Sequence, residues 1–266
     1  MTETHNPNVS LTDSVDDMTR RMLIDAGIGP GMHILDVGCG SGDVSLLLAK
    51  LVGEEGQIVG IDRDEPSLEI ARERVRKLHL PNITFVQGDI CAISPGLGPF
   101  DAAVGRRVIM YLPEPIEAIR KIAATLRPGG VVAFLEHDST MVPCRLEPLP
   151  LQERVSSWIR KTIEREGADI HIGFNLPHLF GQAGLTLEHV RAEAIIQTPD
   201  TNYPTVAIIR AMLPRIIKTG VATEEEIDLD TLEQRLFDER VKANSIYVSD
   251  MVFTIWARKP DLHKSH

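Results

Sequence analysis

The chain has 266 residues, enough for one large domain with a sizeable buried core. Its formal net charge of -10 argues against a protein that grips nucleic acid by its backbone, which needs clustered Lys and Arg to neutralise phosphates. Cys39, Cys91 and Cys144 show neither disulfide nor metal spacing, the start is polar, and no apolar run approaches roughly 18 residues, so a soluble cytoplasmic protein without a membrane span is expected.

Residues 1–12 read as disordered, and residues 14–26 as a helix capped by Ser14, with Asp16 and Asp17 at its positive end. Pro30-Gly31 turns the chain into Ile34-Leu35-Asp36-Val37, whose apolar residues suit a strand covered on both faces. Gly38-Cys39-Gly40-Ser41-Gly42 follows, and residues 43–51 are apolar at helical spacing. Glycines at alternate positions permit backbone angles and a close ligand approach that a Cβ would block, which marks a strand-loop-helix nucleotide site. The spacing G-x-G-x-G departs from the dinucleotide fingerprint G-x-G-x-x-G. Asp36 is expected at the mouth of this loop, where a carboxylate repels a diphosphate and suits a ligand with a cationic amino-acid tail. Residues 57–61 form a second apolar strand ending in Asp62, where a carboxylate can accept both hydroxyls of a ribose.

Residues 65–79 read as a helix on which Arg72, Glu73, Arg74, Arg76 and Lys77 make a solvated face. Pro81-Asn82 ends it, and residues 83–86 form a third strand closing on Gln87-Gly88-Asp89-Ile90. Residues 100–104 are the fourth strand, and Arg106 stands directly after it at the carboxyl edge, where open α/β sheets bind their ligands. A helix from Pro113-Glu114-Pro115 to residue 126, the turn Leu126-Arg127-Pro128-Gly129-Gly130 and a fifth strand at 131–135 come next. Strands alternating with helices imply a parallel, doubly wound sheet. Pro143, Pro148 and Pro150 then break the alternation, and residues 151–166 read as a helix with Trp158 and Ile159 inward. Asn175 is expected to cap a helix at 176–183 that Gly184 closes, and residues 185–196 form a sixth strand. Helices at 203–219 and 223–243 make a second insertion before a last strand at 245–257.

On Asp36-Val37-Gly38-Cys39-Gly40-Ser41-Gly42, Asp62, Gly88-Asp89-Ile90 and the turn at 126–130, standing in this order, the chain resembles the class I S-adenosylmethionine (SAM) dependent methyltransferases. It is similar to the small-molecule C-methyltransferases of ubiquinone and menaquinone biosynthesis, and the resemblance spans residues 11–150. It implies a single α/β domain with a Rossmann-like, doubly wound, seven-stranded sheet, mostly parallel with an antiparallel last strand. Around it the resemblance implies an N-terminal cap at 1–30, a SAM-binding core at 30–140, and helical insertions at 141–176 and 200–243 that form an acceptor lid. The implied cofactor is SAM, with S-adenosyl-L-homocysteine (SAH) as product, held by Asp36, Gly38, Cys39, Gly40, Gly42, Asp62, Arg63, Gly88, Asp89, Ile90 and Arg106. Within that set the resemblance puts Asp89 on the adenine amino group and Ile90 on the ring. The residues alone leave Asp89 as a loop or helix cap, Arg106 as a surface salt bridge, and Met18, Arg21 and Met22 as either core or ligand contacts.

Methyl transfer from a sulfonium is an in-line displacement on carbon. It requires alignment, exclusion of water and, for an O or N acceptor, loss of a proton. For the proton the chain offers His137 and Asp138 just past the fifth strand, and His171 and His178 further on. His137 beside Glu136 can titrate near neutrality as a base, and its plainer reading is a partly exposed loop histidine. Tyr111, Arg106 and Trp158 are candidates for shaping the acceptor pocket. Neither a zinc set nor an oxygen-rich set of metal ligands is spaced along the chain. The expected function is transfer of a methyl group to an O, N or C atom of a small-molecule metabolite, by a protein free to form a homodimer. The alternatives are a SAM binder that regulates or catalyses a non-methylating reaction, a protein or RNA methyltransferase, and a nicotinamide oxidoreductase.

Overall fold

The computed structural model describes residues 11–140, 144–199 and 204–261, without the side chains of residues 11–14, 144 and 249. The disorder expected of residues 1–12 falls on undescribed residues up to 10 and is replaced by helix from Leu11, while the break at Pro143 and the helix start at Tyr203 lie outside the described residues. In chain order the elements are α1 (Leu11–Asp25), β1 (His33–Val37), α2 (Asp43–Val52), β2 (Gln57–Asp62), α3 (Glu65–Lys77), β3 (Ile83–Gln87), β4 (Phe100–Arg106), α4 (Pro115–Ala124), β5 (Leu126–Asp138), β6 (Cys144–Arg145), α5 (Pro150–Arg165), α6 (Ile172–Gln182), β7 (Thr186–Gln197), α7 (Thr205–Lys218), α8 (Glu224–Ile227), α9 (Leu229–Ala243) and β8 (Tyr247–Arg258).

The strands form one eight-stranded sheet in the order β3-β2-β1-β4-β5-β8-β6, with β7 paired to β8. Strands β1 to β5 pair in parallel, with Val37 opposite Ile61 of β2 and Gly105 of β4. Strand β8 runs the other way. Its far end meets the start of β5 (Gly129 N donates to Lys259 O, 3.0 Å) while Asp250 meets His137 near the end of β5. The eighth strand is the two-residue β6, antiparallel to β8 and too short to show in a hydrophobic pattern.

Compactness divides the described chain into two units. The sheet unit is Met18–Glu136, Ile172–Ala192 and the chain from Phe253 onward; the helical unit is the chain up to Asp17, His137–His171 and Glu193–Val252. In the sheet unit, Ile34, Leu35, Val37, Ala103, Val104, Val132, Phe134 and Leu135 are wholly buried, as the central strands of a two-sided sheet require. In the helical unit α5, α7 and α9 pack on one another, burying Val155, Ile209, Ile216, Leu232 and Leu236. Glu239 of α9 accepts from the first amides of α5, Leu151 N (2.8 Å) and Gln152 N (2.9 Å), in place of a local cap.

Several boundaries differ from the sequence reading, each for a local reason. Ser14 and Asn175 lie inside α1 and α6 and cap neither helix. The Leu126–Gly130 turn is an irregularity within β5, where pairing with β4 shifts register between Phe100 and Ala102. The helix expected at 223–243 is two helices, because Asp228 takes a left-handed backbone conformation with φ 46° and closes α8.

Candidate functional site

Strand β1 lies between β2 and β4, so the connections from its neighbours diverge and leave a crevice outside the carboxyl ends of these strands. The loop after β1 is tied into that edge. Gly38 N and Cys39 N both donate to Ile61 O (2.8 and 3.1 Å), and Gly42 N donates to Cys39 O (2.8 Å). Gly38, Gly40 and Gly42 all have left-handed φ values, 64°, 50° and 84°. Their surroundings differ. A Cβ on Gly38 would stand 2.6 Å from Val108 Cγ2 and one on Gly42 3.1 Å from Phe85 Cζ, whereas one on Gly40 would meet no protein atom within 4 Å. Gly40 is therefore where this loop leaves room for a ligand.

Asp62, at the end of β2, is half-buried and already oriented. Its Oδ2 accepts from Gly40 N (2.8 Å) and its Oδ1 from Asp64 N (2.9 Å). A carboxylate has about four lone-pair sites, so each oxygen retains one for a further donor. Asp36 departs from expectation. It is buried, 1% exposed, rather than at the mouth of the loop. Its Oδ2 accepts from Ser45 Oγ (2.5 Å) in the first turn of α2, and its Oδ1 has no hydrogen-bond partner. Burial pushes this carboxyl up to about 7 against the opposing pull of the Ser45 hydroxyl and the Arg106 guanidinium.

Arg106, at the end of β4, is nearly buried too, with Nη1 donating to Thr19 Oγ1 (3.3 Å) and Nη2 4.0 Å from Asp43 Oδ2. Asp36, the glycine loop, Asp62 and Arg106 thus converge on one edge of the sheet unit. Gly88 sits close under that edge, since a Cβ there would be 2.8 Å from Ile61 Cδ1. Asp89 is exposed and its Oδ1 accepts from Cys91 N (2.8 Å), capping the turn at 90–92, while Ile90 is buried. Cys39 is buried beneath the loop, which pushes its thiol up, and Arg63 is exposed. Met18 and Met22 are core, 6% and 1% exposed, and Arg21 is half-buried.

The catalytic candidates divide between the two units. Tyr111 ends a one-turn helix after β4 and is 40% exposed. His137 is not in a loop: β5 runs three residues further than its apolar core, and His137 is 7% exposed within it. Its Nδ1 lies 2.6 Å from Asp250 Oδ2, whose other oxygen accepts from Met251 N (2.9 Å), and its Nε2 has no partner. Asp138 is buried with Oδ1 accepting from Thr140 N (2.9 Å) and Oδ2 without a partner. Trp158 is buried, and His171 and His178 are exposed. His137, Asp138, Trp158, His171 and Asp250 belong to the helical unit.

Two residues escaped the sequence reading. Asp250 is 113 positions from His137, a separation no local pattern encodes. Glu136 counted only as a neighbour of His137, yet it is wholly buried, with Oε1 accepting from Val108 N (2.9 Å) and Ile109 N (2.8 Å) and Oε2 unpartnered. Burial pushes it up to about 7 against those amides. The signal was present, since a carboxylate directly after five apolar strand residues has nowhere to go but inward.

A family profile described as a methyltransferase domain matches residues 28–184. The chain belongs to this family. The demethylmenaquinone methyltransferase of Staphylococcus aureus is 32% identical over 124 residues, 47% of this chain and 51% of that protein. The chain thus spans about half the length of the curated relatives it matches. Among solved structures, the 4+2 cyclase SpnF superposes with a TM-score of 0.58 at 21% identity over 96% of this chain and 85% of that one. Phosphoethanolamine N-methyltransferase 2 of Haemonchus contortus, in complex with SAM, superposes with a TM-score of 0.57 at 18% identity over 92% of this chain and 53% of that one. By family the chain carries a methyltransferase domain, and its fold is that of solved SAM-dependent methyltransferases, in line with the resemblance on residues 36–42. No described helix is long and apolar enough to cross a membrane.

Proposed function

We propose that the chain binds SAM along the carboxyl edge of β1, β2 and β4 and transfers its methyl group to a small-molecule acceptor. Asp62 carries this reading: its carboxylate is held by Gly40 N and Asp64 N with one lone pair left on each oxygen, beside a glycine that opens onto free space. That pairing fits two ribose hydroxyls. Arg106 supplies charge for the carboxylate of an amino-acid tail, and Asp89 and Ile90 are assigned to the adenine, while Asp36, buried with Ser45, supports the loop from beneath. Bound SAM supplies an electrophilic methyl on a sulfonium that departs as a neutral thioether. The chain's own residues then have to orient, exclude water and, for a hydroxyl acceptor, take a proton. Within the helical unit, His137 has the chemistry of a base, because Asp250 on Nδ1 fixes the ring and leaves Nε2 as the lone-pair nitrogen. The charge of -10 favours a small acceptor over nucleic acid.

Calorimetric titration with SAM, SAH and NADH tests the donor site. SAM and SAH are expected to bind and NADH is not; a protein that takes NADH and refuses SAM overturns the reading. Labelled methyl transfer from SAM into a metabolite extract tests the reaction. SAM binding with no label reaching any small molecule supports a second reading, a non-methylating catalyst, which the fold likeness to a cyclase favours.

A further inference from the structure

We infer that Glu136 is a positioning residue for the donor site: through Val108 it sets where the glycine loop stands at Gly38, and so how tightly the adenosyl ligand is held. The inference rests on the reading of this sheet edge as the SAM site, and every residue in it belongs to the sheet unit.

Glu136 is wholly buried near the end of β5, and one of its oxygens accepts from two successive amides, Val108 N (2.9 Å) and Ile109 N (2.8 Å). Those amides open the one-turn helix Ile109–Tyr111, so a side chain from a neighbouring strand does the work of its cap. Arg107 just before them has φ 58°, a left-handed conformation that a residue with a Cβ holds only when its surroundings impose it. Here β5 imposes it from both sides, by Arg107 N donating to Leu135 O (2.9 Å) and by the two bonds to Glu136. The backbone of Val108 is thereby fixed, and its side chain fills the space where Gly38 lacks a Cβ, with Cγ2 and Cγ1 at 2.6 and 3.1 Å from the position that atom would take.

On its other flank the loop is fixed by β2, through Gly38 N and Cys39 N on Ile61 O and Gly40 N on Asp62 Oδ2. The glycine loop is clamped between a flank that includes the proposed ribose carboxylate and a flank whose position depends on Glu136. Releasing the second flank lets Gly38 drift from the geometry that aims Gly40 and Asp62. A buried carboxylate serves this end because it accepts both amides at once, where a shorter side chain on β5 would leave at least one unmet.

Calorimetry with SAH on the full chain tests the inference in the wild type, Glu136→Gln, Glu136→Ala, Val108→Ala and the double variant Glu136→Ala/Val108→Ala, with a thermal melt for each. Glutamine keeps an oxygen for both amides, so Glu136→Gln is expected to bind within about threefold of wild type, while Glu136→Ala and Val108→Ala each weaken binding about tenfold. Because both act on one contact, the double variant is expected to be no weaker than the weaker single one. A folded Glu136→Ala that binds SAH like wild type overturns the inference, as do losses that multiply in the double variant. Should Glu136→Ala not fold, Val108→Ala decides alone, and unchanged affinity there overturns the inference. A role confined to stability would move the melts and leave SAH affinity in place. A wild type that fails to bind SAH overturns the donor-site reading itself, a result separable from all of these.

Discussion

Asp62 and Asp36 end neighbouring strands, yet their surroundings give them different work. Asp62 is half-exposed and held by two amides, so its bonds to a ligand are charge-assisted and need little reorganisation. Two such bonds are worth at least about 3 kcal/mol together, and Asp62→Ala is expected to weaken SAM binding about 100-fold in calorimetry with the far-ultraviolet circular dichroism spectrum unchanged. Affinity within a few-fold of wild type would remove Asp62 from the site. Residue identity told exposure poorly. Asp36 lies in a strand whose flanking residues, Leu35 and Val37, are both wholly buried, and that burial carries the carboxylate under α2 with Ser45.

At the scale of the element, the three glycines of the loop share a backbone conformation and differ in what a side chain would strike. Gly38→Ala places a methyl 2.6 Å from Val108 Cγ2 on a backbone already at φ 64°, which is expected to cost about 2–4 kcal/mol of stability, read as a lower urea midpoint. Gly40→Ala meets no protein atom, so its stability cost is expected to be about 1–2 kcal/mol from the backbone alone, while SAM affinity falls because the methyl occupies ligand space. Equal loss of stability in the two variants, with no loss of affinity in the second, would contradict this division. Elements with strong periodicity, such as β1, β2, α2 and α3, were legible from the sequence within two residues. Those set by tertiary context were not. Strand β5 extends through Glu136 and His137, whose side chains meet Val108, Ile109 and Asp250, and none of these partners is local.

At the scale of the whole molecule, the alternation of strands and helices foretold the parallel sheet, whereas the helical unit rests on long-range partners such as Glu239 for α5 and Asp250 for His137. Long-range burial also sets how stability responds to pH. Asp36 and Glu136 are both raised to about 7, from 3.8 and 4.5, chiefly by burial. Asp36 faces Ser45, Arg106 and Asp62; Glu136 faces the amides of Val108, Ile109 and Met110 and the guanidinium of Arg107. Between about pH 4 and 7 the unfolded chain ionises these two carboxyls while the folded protein keeps them protonated. The unfolded state then binds fewer protons, and stability falls as pH rises through that window. Asp101 and Glu166 are lowered, so their contribution is present above the ordinary carboxylate range and lost only as pH falls below it; they leave the window untouched. Urea denaturation is therefore expected to show the protein less stable at pH 8 than at pH 5 by on the order of 2–5 kcal/mol. Asp36→Asn, which cannot ionise but keeps an oxygen for Ser45, is expected to remove about half of that slope by gaining relative stability at pH 8. A wild type equally stable at both values, or an Asp36→Asn curve parallel to it, would mean that these carboxyls ionise inside the fold without cost.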